Sequence, residues 1–452
     1  MLRIVFACLC TLLLYAQNEL FVHLHSDLFP THIALLEGGK TPFSCDYLKE
    51  LESVLYFDIG NNGMNRLLTK DEQTNIIPFI GESLDLPKLR QAGLAYLVEW
   101  KIVAKEIVAK VVDITVGTAR SVGPFACTGK IEQDRRKIHQ LADTIHQILF
   151  GRPGIANTHI LFVTKRKLTG LNGEPQYASE IFKADYDGHN AIQLTSSRSL
   201  CATPLFVPKA PFLQPNIPDH FLYVSYELGQ PKMYTAQLHG GNPRRVSHMR
   251  GNQLTPALSK DGSQLAFCSD ILGTADLYLV SFEPGVGAIG KPRQIFHVRG
   301  TATGCPCFSP DGKRIAFVSN KDACPRIYVM NIPETGVKST EIKPMLISKK
   351  CRNNTAPTWS PDGKKIAYSA RNDGDREIWV YDFEREIEEQ ITEGAGSKES
   401  PCWAPDSLHL VYHAYTKTGC ELYITNLHQR TSVKISSGPH DKLFAVWEPV
   451  SI

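Results

Sequence analysis

Charge of one sign is what this chain most lacks. Its 49 lysines and arginines are matched by 46 aspartates and glutamates, a formal net charge of +3, and no long basic run concentrates the excess. The electrostatic footprint of a nucleic-acid-binding protein is therefore missing. An apolar run long enough to cross a bilayer is missing as well. The stretch at 4–15, behind Met1-Leu2-Arg3 and ahead of Ala16, is about 12 residues and too short to span. It reads as a secretory signal covering 1–16, which predicts export. Val5-Phe6-Ala7-Cys8 leaves almost no apolar core ahead of its cysteine, so a lipoprotein reading is set aside. Zinc-type spacing is also absent. Cys305 and Cys307 share one face of a strand, but no second Cys or His pair follows, and buried, inert thiols are expected.

What the chain does have is a cadence. Pro306-Cys307-Phe308-Ser309-Pro310-Asp311-Gly312 returns as Pro357-Thr358-Trp359-Ser360-Pro361-Asp362-Gly363, with weaker copies opening at Pro256 and Pro401 and a degenerate one at Pro204. Successive lead prolines are 52, 50, 51 and 44 residues apart. A period of roughly 40–50 residues is that of arrays whose units cannot bury their apolar faces alone. After each cadence come short runs rich in Ile, Val, Tyr and Phe, bounded by Asp-Gly or other polar turns. These read as strands joined by hairpins, four to a repeat, and one repeat is one propeller blade.

The two ends of the array are each incomplete. Segments 159–164, 180–185 and 191–195 supply second, third and fourth strands with no first strand before them. At the far end Phe444-Ala445-Val446-Trp447-Glu448-Pro449 opens a cadence, with Ala445 lying 44 residues after Pro401. The C-terminal strand is expected to complete the first blade and close a ring of six, removing exposed sheet edges. The expected class is mainly β: a six-bladed propeller at 157–452, preceded by a small α/β domain at 17–150 and a linker at 151–156.

Within the first domain, 44–55 and 86–92 read as helices, and 95–100, 106–115 and 120–127 as strands. The strongest helix is 131–149, with Ile138, Leu141, Ala142, Ile145, Ile148 and Leu149 on one face. His139 and His146 on that helix, and His23 and His25 on an expected N-terminal strand, lack a third ligand at short spacing and are expected to be ordinary surface or half-buried histidines. Asp185-Tyr186-Asp187-Gly188 and Asp373-Gly374-Asp375 hold too few ligands for a helix-flanked calcium loop and read as turns. Gly285-Val286-Gly287-Ala288-Ile289-Gly290 fits the dinucleotide pattern in letters alone, since it falls between two strands of a blade. No Gly-x-Ser-x-Gly elbow occurs, and the serine of Ser-Pro-Asp-Gly belongs to a repeated turn. No cofactor, metal or catalytic residue is expected.

The export signal, the helix segment Arg135-Arg136-Lys137-Ile138-His139-Gln140-Leu141-Ala142-Asp143, the Phe150-Gly151-Arg152-Pro153-Gly154-Ile155 junction and the six-bladed array together resemble the TolB family, periplasmic propellers of the Tol-Pal envelope system. Ala92-Gly93-Leu94-Ala95-Tyr96-Leu97-Val98 is similar to that family's segment leading into a strand of the first domain. The resemblance implies a monomeric, non-enzymatic periplasmic adaptor. It would bind the peptidoglycan-associated lipoprotein Pal through the propeller, contact TolA through the mature N-terminus at 17–26, and serve outer-membrane integrity and constriction at division. The 17–26 stretch carries no clear match to the TolA-binding segment.

Blade geometry predicts where a partner docks: the loops running from the fourth strand of one blade to the first strand of the next lie on one face, beside the channel. They offer Asn252, Gln253, Thr255, Thr301, Thr303, Asn353, Asn354, Thr355, Lys398 and Glu399 as a ring of hydrogen-bonding groups, together with Arg250, Arg299 and Arg352. The competing reading is a secreted propeller that binds a small ligand or acts as an enzyme through its channel. It would need acidic or histidine groups converging there, and Glu399 is the single carboxylate in these loops.

Overall fold

The computed structural model describes residues 29–35, 42–80, 84–169, 174–208, 219–371 and 374–449. The expected signal, the 17–26 stretch with His23 and His25, and Asp373 lie outside them. Six four-stranded antiparallel sheets follow one another. The first is built from Asp441–Trp447, His159–Thr169, Pro175–Asp185 and Ile192–Gln193, so the C-terminal strand is the innermost strand of the first blade. Innermost strands of neighbouring blades pack against one another around the whole ring, including last against first. Closure is tightened by Trp447, whose Nε1 donates to Thr158 Oγ1 at 2.7 Å, and by Glu448, which accepts from the His159 backbone N–H at 3.0 Å.

The cadence has a local cause at both of its ends. In the turn, Ser309 Oγ bonds Asp311, Asp311 accepts from Lys313 N at 3.1 Å, and Gly312 takes a φ of 68° that favours glycine. The hydroxyl of Ser309 also accepts from Arg314 N at 2.9 Å, so the serine staples a hairpin. At the other end, the residue before each lead proline or its counterpart is left-handed without being glycine: Thr203, Thr255, Cys305, Ala356, Ser400 and Phe444, with φ from 45° to 52°. Each marks a bulge where the register of the innermost strand shifts. A bulge frees one position from the ladder, which is where proline fits within a sheet.

Cysteine spans the gaps between blades. The backbone N–H of Trp359 donates to Cys307 Sγ at 3.2 Å and that of Trp447 to Cys402 Sγ at 3.4 Å. Burial pushes these two thiols up to about 12 and about 11, away from reactivity. All ten cysteines of the described residues are free.

Ahead of the propeller, strands β1 (Phe29–Leu35), β2 (Asn65–Leu67), β3 (Tyr96–Val103), β4 (Glu106–Asp113) and β5 (Thr118–Ala126) form a mixed sheet in the order β2-β1-β3-β4-β5. Helices α1 (Cys45–Gly60), α2 (Lys70–Ile76), α3 (Leu86–Gln91) and α4 (Ile131–Phe150) complete the domain. Ser44 caps α1 and left-handed Gly151 ends α4. β1, β2 and α2 have no counterpart among the expected elements.

The expected linker is packed. Ile155 and Ala156 are buried, and Asp143 of α4 accepts from the N–H groups of Ala156 and Asn157. One apolar core runs from Leu51, Val54 and Ile138 through Ile160 and Tyr186 to Val411 and Trp447, so the α/β domain and the first and last blades share it. No helix among the described residues is long and apolar enough to cross a membrane.

The seam between last and first blades carries a titratable group. Phe444 N donates to His413 Nδ1 at 3.3 Å, which requires that nitrogen to be unprotonated, and burial lowers the ring from 6.5 to about 4. A depressed histidine stabilises the fold fully above about pH 6.5, and this contribution is lost as pH falls toward 4, up to about 3 kcal/mol. Thermal unfolding between pH 7 and 4.5 is expected to show this loss in the wild type and a flatter profile in His413→Gln, whose amide oxygen can still accept from Phe444. Equal slopes would refute the assignment.

Candidate functional site

The two faces of the propeller differ in what covers them. The first-to-second and third-to-fourth turns lie on one face, the second-to-third hairpins and interblade loops on the other. The α/β domain sits on the former. His409 Nε2 lies 2.7 Å from Asn61 O, His428 Nδ1 lies 2.7 Å from Gly63 O, and Gln429 Nε2 donates to Asn65 O at 3.0 Å. All three come from turns of the last blade. The first blade contributes Asp187, paired with Arg135 of α4, and Asn190, whose Nδ2 donates to Glu132 O at 3.0 Å. Sequence reasoning missed this interface, though it had a signal. In the last blade the cadence ends Asp406-Ser407-Leu408-His409 where others read Asp-Gly-Lys-Arg or Asp-Gly-Lys-Lys, and the changed residues meet the domain.

The seam is polar at its centre. His139, expected at or near the surface, is 1% exposed, with Nδ1 2.8 Å from Asp58 Oδ2. Tyr186 donates its hydroxyl to the other Asp58 oxygen at 2.7 Å. Burial is the largest influence on Asp58 and raises its pKa, against the lowering effect of His139. Two turns along, His146 is half-buried and lowered to about 4 by desolvation, hence neutral. It lines a cleft of about 370 Å³ that opens between the domain and the last two blades, with Arg152, Arg385, Arg430 and Glu389 on its walls.

On the open face, the ten candidate residues occupy the innermost strands and the loops before them, but four are buried. Gln253 donates to Met249 O at 2.9 Å and Asn354 to Cys351 O at 2.7 Å; both are 0% exposed. Thr303 is buried too. Lys398 reaches Gly394 O and pairs with Glu377 at 2.8 Å. These four hold equivalent positions, three residues before the lead proline, and Lys442 repeats the role beside Glu421 in the first blade. Gln253, Asn354 and Lys398 each tie an innermost strand to the loop behind it, whereas the buried Thr303 hydroxyl has no hydrogen-bond partner among the described residues. Side chains buried in this way present nothing to a partner, which corrects the expected ring of contact groups at Gln253, Thr303, Asn354 and Lys398.

The other six are half-buried and partly engaged. Asn252 bonds Asp270 twice, Thr301 donates to Val298 O, and Thr255 Oγ1 accepts from Cys305 N. Asn353, Thr355 and Glu399 converge on Arg376, which bonds Asn353 Oδ1 at 2.7 Å and lies 3.4 Å from Glu399.

What projects from this face is an arc of arginines. Arg198, Arg250, Arg299 and Arg352 are exposed, one in each of four consecutive interblade loops, five to seven residues before the lead proline. Among the described residues none of their guanidinium groups is in an ion pair. Leu228, Ile271, Leu272 and Tyr415 stand exposed on hairpins of the same face. A face that exposes arginine together with apolar and aromatic side chains has the composition enriched in protein interfaces. Arg198 had been missed because its repeat is the most degenerate.

The geometry defines a class: a closed β-propeller with a small α/β domain docked over one face and the other face open. Residues 146–451 match the family model described as the TolB beta propeller domain. A TolB homolog of Protochlamydia amoebophila is 41% identical over 390 residues, 85% of this chain and 82% of that one. One from Chlamydia trachomatis is 34% identical over 395 residues, covering 87% and 83%. The chain belongs to the TolB family. The crystal structure of TolB from Acinetobacter baumannii shares the fold, with a TM-score of 0.74 at 20% identity over 94% of this chain and 97% of that one.

Because Asn354 is a latch and Arg352 a projection, their truncations should separate. Asn354→Ala is expected to cost about 1–3 kcal/mol by leaving a buried carbonyl unpaired, and Arg352→Ala to stay within about 0.5 kcal/mol. Calorimetric melting of the two variants decides it.

Proposed function

We propose that this protein is a non-enzymatic periplasmic adaptor of the Tol-Pal system. It binds a peptidoglycan-associated lipoprotein on the open face of the propeller, contacts inner-membrane Tol proteins through its N-terminal segment, and supports outer-membrane integrity and constriction at division. Family membership supports the system. The observation that carries the choice of face is the asymmetry of the disc: the α/β domain occupies turns of the first and last blades on one side, and the exposed arginine arc stands on the other, a face that also exposes apolar side chains. An arc of guanidinium groups suits a partner loop bearing carboxylates, giving an attraction that salt weakens.

The test is capture of the lipoprotein from envelope extract by the intact chain. Arg299→Glu combined with Arg352→Glu is expected to reduce capture at least about tenfold, with the wild-type interaction falling as salt rises. Lys313→Glu, on an exposed turn of the opposite face, should leave it unchanged. No recovery of the lipoprotein by wild-type protein would count against the adaptor reading. Undiminished capture by the double variant would leave the adaptor reading standing and remove this face.

A further inference from the structure

Two motifs with no role in partner binding meet at the interdomain seam. His139 on α4 and the Asp185-Tyr186-Asp187 turn of the first blade lie far apart in sequence. Among the described residues they nonetheless offer one imidazole nitrogen and two carboxylate oxygens that all lie within 4.8 Å of one another. The three residues are buried.

The histidine is held as a ligand would be. Nδ1 lies 2.8 Å from Asp58 Oδ2, and Asp58 is itself fixed by the Tyr186 hydroxyl. A carboxylate accepting one ring N–H sets the tautomer and leaves the other nitrogen with its lone pair, as in carboxylate–histidine–metal arrangements. Nε2 is buried and has no hydrogen-bond partner; the nearest acidic oxygen is Asp187 Oδ2 at 3.7 Å. A lone pair aimed at carboxylate oxygens in a desolvated seam is repulsive unless a cation lies between them.

The surroundings orient the carboxylates and leave acceptor oxygens in excess. Asn190 Nδ2 donates to Asp185 Oδ2 at 2.7 Å, the His189 N–H donates to Asp187 Oδ1 at 3.1 Å, and Arg135 pairs with Asp187 Oδ2. His159 Nε2 lies 3.8 Å from Asp185 Oδ1. Three carboxylates, those of Asp58, Asp185 and Asp187, gather around His139, with the Arg135 guanidinium paired to Asp187, so a dication there would meet acceptor oxygens in excess of the cationic side chains. His189 stands at the mouth, its side chain 62% exposed and its Nδ1 3.4 Å from Asp187 Oδ1, within reach of a fourth coordination position.

We infer that His139, Asp185 and Asp187 form a zinc-class dication site that clasps the α/β domain to the first blade. An imidazole with two carboxylates suits zinc or a similar borderline ion. Calcium and magnesium prefer all-oxygen shells of six or more ligands, and copper(I) prefers thiolates. Metal binding there favours the docked arrangement by mass action, because its ligands come from both sides of the seam.

The experiment uses the intact chain stripped with a chelator and titrated with zinc chloride by calorimetry, and with cobalt(II) followed by its visible bands. One equivalent is expected to bind, raising the melting temperature, and zinc absorption fine structure should show nitrogen and oxygen scatterers without sulfur. Asp185→Asn and Asp187→Asn, checked by circular dichroism for an intact fold, should each weaken binding by at least about tenfold. No binding by wild-type protein overturns the site and leaves a proton on Nε2 as the bridging cation. Sulfur in the first shell of wild-type protein, or folded Asn variants that bind as tightly as wild type, also overturns it.

Discussion

Everything in this molecule hangs on one antiparallel pairing, that of Asp441–Trp447 with His159–Thr169. Without it the first blade has three strands and an open edge, and the last blade has no neighbour. With it the ring has no exposed innermost edge, and each blade buries its two faces against its neighbours. The same pairing sets up the interdomain seam. Trp447 touches Tyr186, Tyr186 holds Asp58, and Asp58 orients His139 on α4. The docking of the first domain is therefore built on the closing strand.

The propeller was legible in the sequence because its signals are local and repeated. Asp-Gly turns, prolines at bulges and alternating strands each follow from backbone chemistry that acts within a few residues. The reading failed where a residue's role depends on what lies across a packed boundary. Gln253 and Asn354 look like loop polar groups by their neighbours and are latches by their burial. His139 looks like a helix-surface histidine and is enclosed by groups more than 40 residues away in sequence, among them Asp58 and Asp187. Strand β1 lay in a stretch with no repeat to expose it.

The irregular copies of the repeat proved as informative as the regular ones. Regular turns, Ser309 to Gly312 and Ser360 to Gly363, expose their aspartates and keep the residues that make a hairpin closed by its own side chains. The last copy drops both serine and glycine, keeps Asp406, and acquires His409, because its turn is completed by contacts to another domain. Departure from the consensus thus points to the covered face, while arginines outside the consensus mark the open one.

Ring closure also imposes an order of events on the molecule. The Glu448–His159 contact joins positions 289 residues apart, so the first blade cannot be finished until the last strand is available. Contacts of such separation are costly to form and slow folding. A chain made from its N-terminus exposes an unfinished first blade until the last strand follows, and the α/β domain meanwhile lacks part of its shared core. The last strand to arrive therefore acts as a latch on maturity, for the domain can seat fully only on a chain that is complete.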